Sequence, residues 1–183
     1  ERDVASIVRQ TEAELGPVDI VVVNATPDQP QRPIEAYDWA FYQEMLDFFV
    51  KSPYLLTRRA LPHMKEQRWG RIINIASTHA IVASPNKSAY AAAKHGIVGF
   101  TKSLALEVGE LGITANAIMA GVTDTPALTK IPGADKIKQT AISRNPHGRL
   151  TIPEDVAKCI VALSGEATAW MTGNVIRIDG GET

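Results

Sequence analysis

The sequence predicts an α/β fold built on a parallel sheet, on three observations. A helical segment ends at Gly16-Pro17 and passes at once into the apolar run of residues 18–23. The stretch 71–102 opens as a strand, breaks at Ala76-Ser77 and becomes a helix. A turn at Leu111-Gly112 then leads into a further apolar strand that runs through Ile118. Helices alternating with short apolar strands make a parallel sheet, and ligands of such sheets sit beyond the strands' carboxyl ends.

The chain has 183 residues, 45% hydrophobic and 21% charged, which is enough for one domain with a sizeable core. A formal net charge of −1 argues against a nucleic-acid or anionic-membrane surface. The one cysteine, Cys159, lies in an apolar helical pattern and has no internal disulfide partner, which fits a core thiol in a reducing cytoplasm. No apolar run approaches the roughly 18 residues of a membrane span. A signal-peptide pattern, an internal repeat and a metal-ligand set are likewise not read.

Taken in order, residues 1–15 form an amphipathic helix with Val4, Ile7, Val8, Ala13 and Leu15 as its apolar positions. Residues 18–23 are expected as a strand buried on both faces, ending at Asn24-Ala25. Residues 27–33, rich in proline and glutamine, form an irregular loop near the ligand end. Residues 34–65 are largely helical, with Pro53 expected to bend or break the helix. The strand opening the 71–102 stretch owes its character to Ile72, Ile73 and Ile75. A helix over 88–108 follows, then the strand ending near Ile118, and then a polar segment, 127–149, interrupted by Pro132-Gly133 and Pro146. A helix over 153–163 is expected to take Thr151 as its N-cap, with Glu154 completing a capping box. Residues 174–178 form the last strand, and Asp179-Gly180-Gly181 a closing turn.

The 71–102 stretch carries the chemistry. Tyr90 and Lys94 are four residues apart and share one helical face, while Ser77 at the strand end folds back toward it. A phenol of ordinary pKa about 10 is a poor acid–base catalyst at neutral pH, and a neighbouring ammonium favours its phenolate. A serine hydroxyl would hold a substrate oxygen beside it. The three together suit proton transfer at an alcohol oxygen while a hydride moves at carbon. The pair alone is weak, since such a spacing is common on exposed helix faces.

These motifs resemble the short-chain dehydrogenase/reductase family. The resemblance spans nearly the whole chain: Asn24-Ala25 after a strand, Asn74 before Ser77, Tyr90 with Lys94, Asn116-Ala117, Gly121, Thr125-Pro126 and Asp179-Gly180-Gly181. It implies a single Rossmann-type domain over 1–183, a doubly wound parallel sheet with helices on both faces, binding NAD or NADP. It implies substrate orientation by Ser77, acid/base work by Tyr90, and phenol tuning with nicotinamide-ribose binding by Lys94. Asn24, Ala25, Gly121 and Thr125 are the other implied cofactor contacts, and 127–149 the implied lid over the substrate. A homo-oligomer, dimer or tetramer, is implied by the family's packing of the helix 88–108 against its counterpart.

Some positions depart from the family pattern. Val23 and Thr26 flank Asn24-Ala25 where the family has Asn and Gly, and Ala120 replaces a Pro. Phe49 stands where the family has an Asn that holds a proton-relay water, and a phenyl ring cannot hydrogen-bond that water. The glycine-rich cofactor turn between the family's first strand and helix is not in this sequence, nor is the residue that selects NAD or NADP. The expected fold therefore lacks the N-terminal strands, leaving an apolar edge at residues 18–23. Two readings of that edge stand: a piece of a longer polypeptide, or a partner that covers it.

Within the family, Ile-Ala-Ser-Thr-His (75–79) and Ser-Pro-Asn-Lys-Ser-Ala-Tyr (84–90) resemble bacterial D-3-hydroxybutyrate dehydrogenases. That resemblance implies that His79 and Lys87 form a cationic pair for a substrate carboxylate. Val122 departs from those enzymes' Trp and Asp28 from their Gln, and an Asp there would repel a carboxylate. Three functions stay open: an NAD(P)-dependent dehydrogenase or reductase of a small hydroxy or oxo compound, a carrier-linked 3-oxoacyl reductase, and an inactive scaffold. The enzyme is the expected function of the gene, with activity of the 183-residue chain alone less expected.

Overall fold

The fold was obtained as a computed structural model and describes residues 2–82 and 84–183. Glu1, at the start of the expected first helix, lies outside the described residues. Among the described residues four parallel strands form one sheet in the order β1 (Ile20–Val23), β2 (Gly70–Ile75), β3 (Ile113–Ala120) and β4 (Val175–Ile178). Every neighbour pair is parallel, with Val21 opposite Ile72, Ile72 opposite Ala115, and Ile118 opposite Ile176. The sequence pattern explains the layering. Alternate residues face opposite sides of a strand, so Val21, Ile72 and Ala115 share one face and Ile73, Ile118 and Ile176 the other.

Helices cover both faces. On the first face α3 (Ser52–Gln67) and α4 (Ser88–Val108) bring Ala60, Met64, Leu104, Ala105 and Val108 onto Val21, Ile72, Ile113 and Ala115. On the second, α7 (Pro153–Ser164) brings Val156 and Leu163 onto Ile73 and Ile118. Helix α1 (Arg2–Leu15) packs beside α3. The doubly wound architecture expected from the sequence is present.

Strand β1 corrects one expectation. Val21 is 7% exposed, but Ile20 and Val22 are each 39% exposed, so the strand is buried on one face rather than both. The reason is placement: α3 covers the Val21 side, and among the described residues no helix covers the Ile20 and Val22 side next to α7. Strand β2 is the sole ladder partner of β1 among the described residues.

Residues 34–65 also differ from the expected long helix bent at Pro53. A 3-10 turn at Ile34–Ala36 precedes α2 (Trp39–Leu46), which Asp38 caps by accepting the Phe41 N–H at 2.8 Å. A π turn (Asp47–Lys51) then joins α2 to α3 without a break. Pro53 thus lies inside one continuous helical run, two residues past the π turn, which is where the ladder adjusts to its missing N–H. The wider turn gives its ring room at the preceding carbonyls.

The N-cap of α7 is Ile152 rather than Thr151: the Asp155 carboxylate accepts the Ile152 N–H at 3.0 Å. Thr151 instead forms a bridge with Thr123 and is buried. Cys159 is half-buried beside the α7 core rather than fully enclosed. Among the described residues no helix is long and apolar enough to cross a membrane.

Candidate active site

The carboxyl ends of β1, β2 and β3 open into a cavity of about 720 Å³ lined by Asn24, Ser77, His79, Lys87, Tyr90 and Lys94, with Gly121 and Thr125 on the β3 side. Ser77 stands two residues past the end of β2 and caps the 3-10 turn Thr78–Ala80, its hydroxyl accepting the His79 N–H at 3.3 Å. Tyr90 stands in the first turn of α4 and lines the same cavity as that hydroxyl. Lys94, one turn on, is 5% exposed and donates from Nζ to the Ile75 carbonyl at 2.7 Å. A strand end and a helix start thus bring the three groups together, as the spacing predicts.

Burial sets the electrostatics. It pushes the Tyr90 phenol above its usual value, with the neighbouring Ser77 hydroxyl working the other way. It pulls the Lys94 ammonium down to about 7. The expected net lowering of the phenol by Lys94 is therefore not what this arrangement gives. Desolvation penalises both charged forms and is the largest cause at each group.

His79 and Lys87 both line the cavity, and the His79 ring lies edge-on to Tyr90 with centroids 5.6 Å apart. Burial, and then the Lys87 charge, lower His79 to about 4. At neutral pH the expected cationic pair is thus a neutral imidazole beside an ammonium, and Lys87 itself is lowered by burial. The His79 Nδ1 lies 3.4 Å from the Ser77 Oγ.

Other expected contacts are placed unevenly. Asn24 reaches the cavity wall, whereas Ala25 faces a separate small cavity beside Phe48, Phe49 and Pro53. Gly121 has a packing role as well: a Cβ there would meet Glu182 Oε2 at 2.8 Å and Asp179 Cβ at 2.9 Å. Thr125 lines the cavity and also caps α5 (Pro126–Thr129), accepting the Leu128 N–H at 3.4 Å. Leu128, Ile131 and Ile137, from α5 to α6 (Ala134–Arg144), line the cavity from within the segment expected as a lid.

Sequence reading missed Gln29. It lines the cavity beside Asp28 and also borders a cleft with Lys87 and Tyr90. Its one signal was a polar residue next to Asp28 in the proline-rich loop. Phe49 was noted only for what it lacks. The buried ring lies 4.1 Å below the Lys94 Nζ and meets the Tyr90 ring edge-on at 5.4 Å.

The donor set fits the nicotinamide-ribose end of a dinucleotide. Lys94 commits one of its three N–H donors to Ile75 and lines the cavity with Tyr90, where a ribose diol could accept. Among the described residues no cluster of three His, Cys, Asp or Glu side chains is placed to hold a metal ion.

A parallel sheet wound on both faces, with Ser77, Tyr90 and Lys94 at its carboxyl edge, is the framework of a nicotinamide-dependent oxidoreductase. The chain belongs to the short-chain dehydrogenase/reductase family, whose members use NAD or NADP. A family model described as enoyl-(acyl carrier protein) reductase matches residues 1–183. D-beta-hydroxybutyrate dehydrogenase of Cupriavidus necator is 39% identical over 98% of this chain and 73% of its own length. A 3-oxoacyl-(acyl-carrier-protein) reductase of Thermotoga maritima is 35% identical over 99% of this chain and 73% of its own. The solved structure of a candidate NAD(P)-dependent gluconate 5-dehydrogenase from Beutenbergia cavernae, with NADP at low occupancy, superposes with a TM-score of 0.90. It is 30% identical, and the match covers 99% of this chain and 72% of that one.

Proposed function

We propose that the protein interconverts a secondary alcohol and a ketone on a small 3-hydroxy or 3-oxo acid. The observation that carries this reading is the meeting of Ser77, Tyr90 and Lys94 in a cavity that also holds Lys87 and His79. In oxidation the Tyr90 oxygen takes the alcohol proton; in reduction it gives that proton to the carbonyl oxygen. The Ser77 hydroxyl holds the same oxygen in place. Lys94 stabilises the phenolate and binds the nicotinamide ribose, with Asn24, Gly121 and Thr125 as further cofactor contacts. When bound, NAD or NADP supplies the hydride acceptor or donor. Ala25 acts through the strand end it follows.

Lys87 is the charged group for a substrate carboxylate. A neutral His79 serves the same carboxylate as an N–H donor, and gains a proton as the anion approaches. The similarity to a hydroxybutyrate dehydrogenase supports this reading, and that to a 3-oxoacyl reductase supports a carrier-linked alternative. Lys87→Ala tests the carboxylate reading. Its Michaelis constant should rise about 10-fold or more for 3-hydroxybutyrate and little for a neutral ketone. An equal change for both would remove Lys87 from carboxylate recognition.

A single Rossmann-type domain over 1–183 is the proposed organisation, assembled as a homo-oligomer through α3 and α4. The proposed compartment is a reducing cytoplasm, because the lone thiol Cys159 has no internal partner. Recovery of the native protein from an oxidising compartment would overturn it.

A further inference from the structure

The cavity explains Ser77, His79, Lys87, Tyr90 and Lys94, but Phe49 lies behind it and makes no contact that the reaction itself requires. Three facts set it apart from ordinary core. It is 4% exposed and is carried by a π turn, which rotates the helix relative to a regular α path. Its ring face meets the Lys94 Nζ at 4.1 Å, shorter than the 5.7 Å from that nitrogen to the Tyr90 ring. It also meets the Tyr90 ring edge-on at 82°. An ammonium taken out of water against a ring face is attracted by the ring quadrupole.

We propose that Phe49 is a positioning residue of the catalytic set, its ring face holding the Lys94 ammonium and its contact with Tyr90 fixing the phenol beside it. The proposal rests on the assignment of Tyr90 and Lys94 as the working pair. It gives the ring a function of its own at a position where a hydrogen-bonding side chain would act through water. Lys94 has the Ile75 carbonyl on one side and the Phe49 face on another. Both favour its charged form against desolvation, which lowers it to about 7.

The titratable groups around Lys94 are Tyr90 on its own helix, His79 from the 3-10 turn and Lys87 from the loop before α4. Asp28 and Lys130 lie farther along the same cavity wall. On the π turn, Asp47 and Lys51 pair with each other at 3.0 Å and are largely solvated.

The test follows the ε-methylene carbon shift of Lys94 against pH, assigned through Lys94→Met. In Phe49→Leu, which keeps apolar bulk and loses the ring face, the midpoint should fall by about 0.5–1.5 pH units. Phe49→Tyr keeps the face and should keep the wild-type midpoint. Phe49→Met serves as the second variant if Leu impairs folding. An unchanged Lys94 midpoint in the folded Leu or Met variant overturns the proposal, as does an equal fall in Phe49→Tyr. Because the shift is read without turnover, an inactive wild type would count against the proposed reaction and leave this result to stand or fall alone.

Discussion

At the residue scale the site is a set of ionisable groups brought into low-dielectric surroundings, and each is tuned chiefly by burial. Lys94 is lowered to about 7, His79 to about 4, and Tyr90 is raised. For His79 the sign is definite. A group whose ordinary value is 6.5 and whose folded value is about 4 binds more protons in the unfolded chain between those limits. Its contribution to stability is therefore lost as pH falls from 6.5 toward 4 and is restored as pH rises. Thermal melts should show Tm rising across that window, with a smaller rise in His79→Gln. The same slope in both proteins would show that His79 is not the group responsible. The triad was legible because a spacing of four on a helix fixes a shared face. The neutral state of His79 was not, because desolvation depends on which elements enclose it.

Elements decide how the residues meet. Asn74 is fully buried on β2 and donates from Nδ2 to the Thr101 Oγ1 at 3.0 Å, tying the strand to α4 below the site. The helix over 88–108 and the strand ends were legible because apolar periodicity and Gly or Pro punctuation agree there. The π turn was not legible, since its phase depends on Pro53 and on the packing of Phe48 and Phe49 rather than on local propensity. The α7 cap shifted by one residue because Thr151 is drawn into a bridge with Thr123. The outer faces of α3 and α4 form a groove of about 570 Å³ lined by Tyr54, Leu61, Pro62 and Phe100. That groove lies on α3 and α4, the helices through which the homo-oligomer is proposed to assemble. Sedimentation equilibrium should find a dimer or tetramer, and Tyr54→Glu should shift the protein toward the monomer. A monomeric wild type would remove the assignment.

The whole molecule is a sheet whose strand order, β1-β2-β3-β4, puts three carboxyl ends on one cavity. The parallel arrangement was legible because strands joined through helices have few topologies open to them. The one-sided burial of β1 was less so, because an apolar run reads the same whether or not its second face is covered. The proposed reaction depends on proton transfer by Tyr90 inside this frame. The most direct test is the initial rate of NAD- or NADP-linked oxidation of D-3-hydroxybutyrate by the wild-type protein and by Tyr90→Phe, prepared in parallel. Removing only the titratable hydroxyl should cost about 10²–10⁴-fold in rate while the fold and nicotinamide binding remain. Equal rates in the two proteins, or no nicotinamide reduction by a folded wild type, would contradict the account.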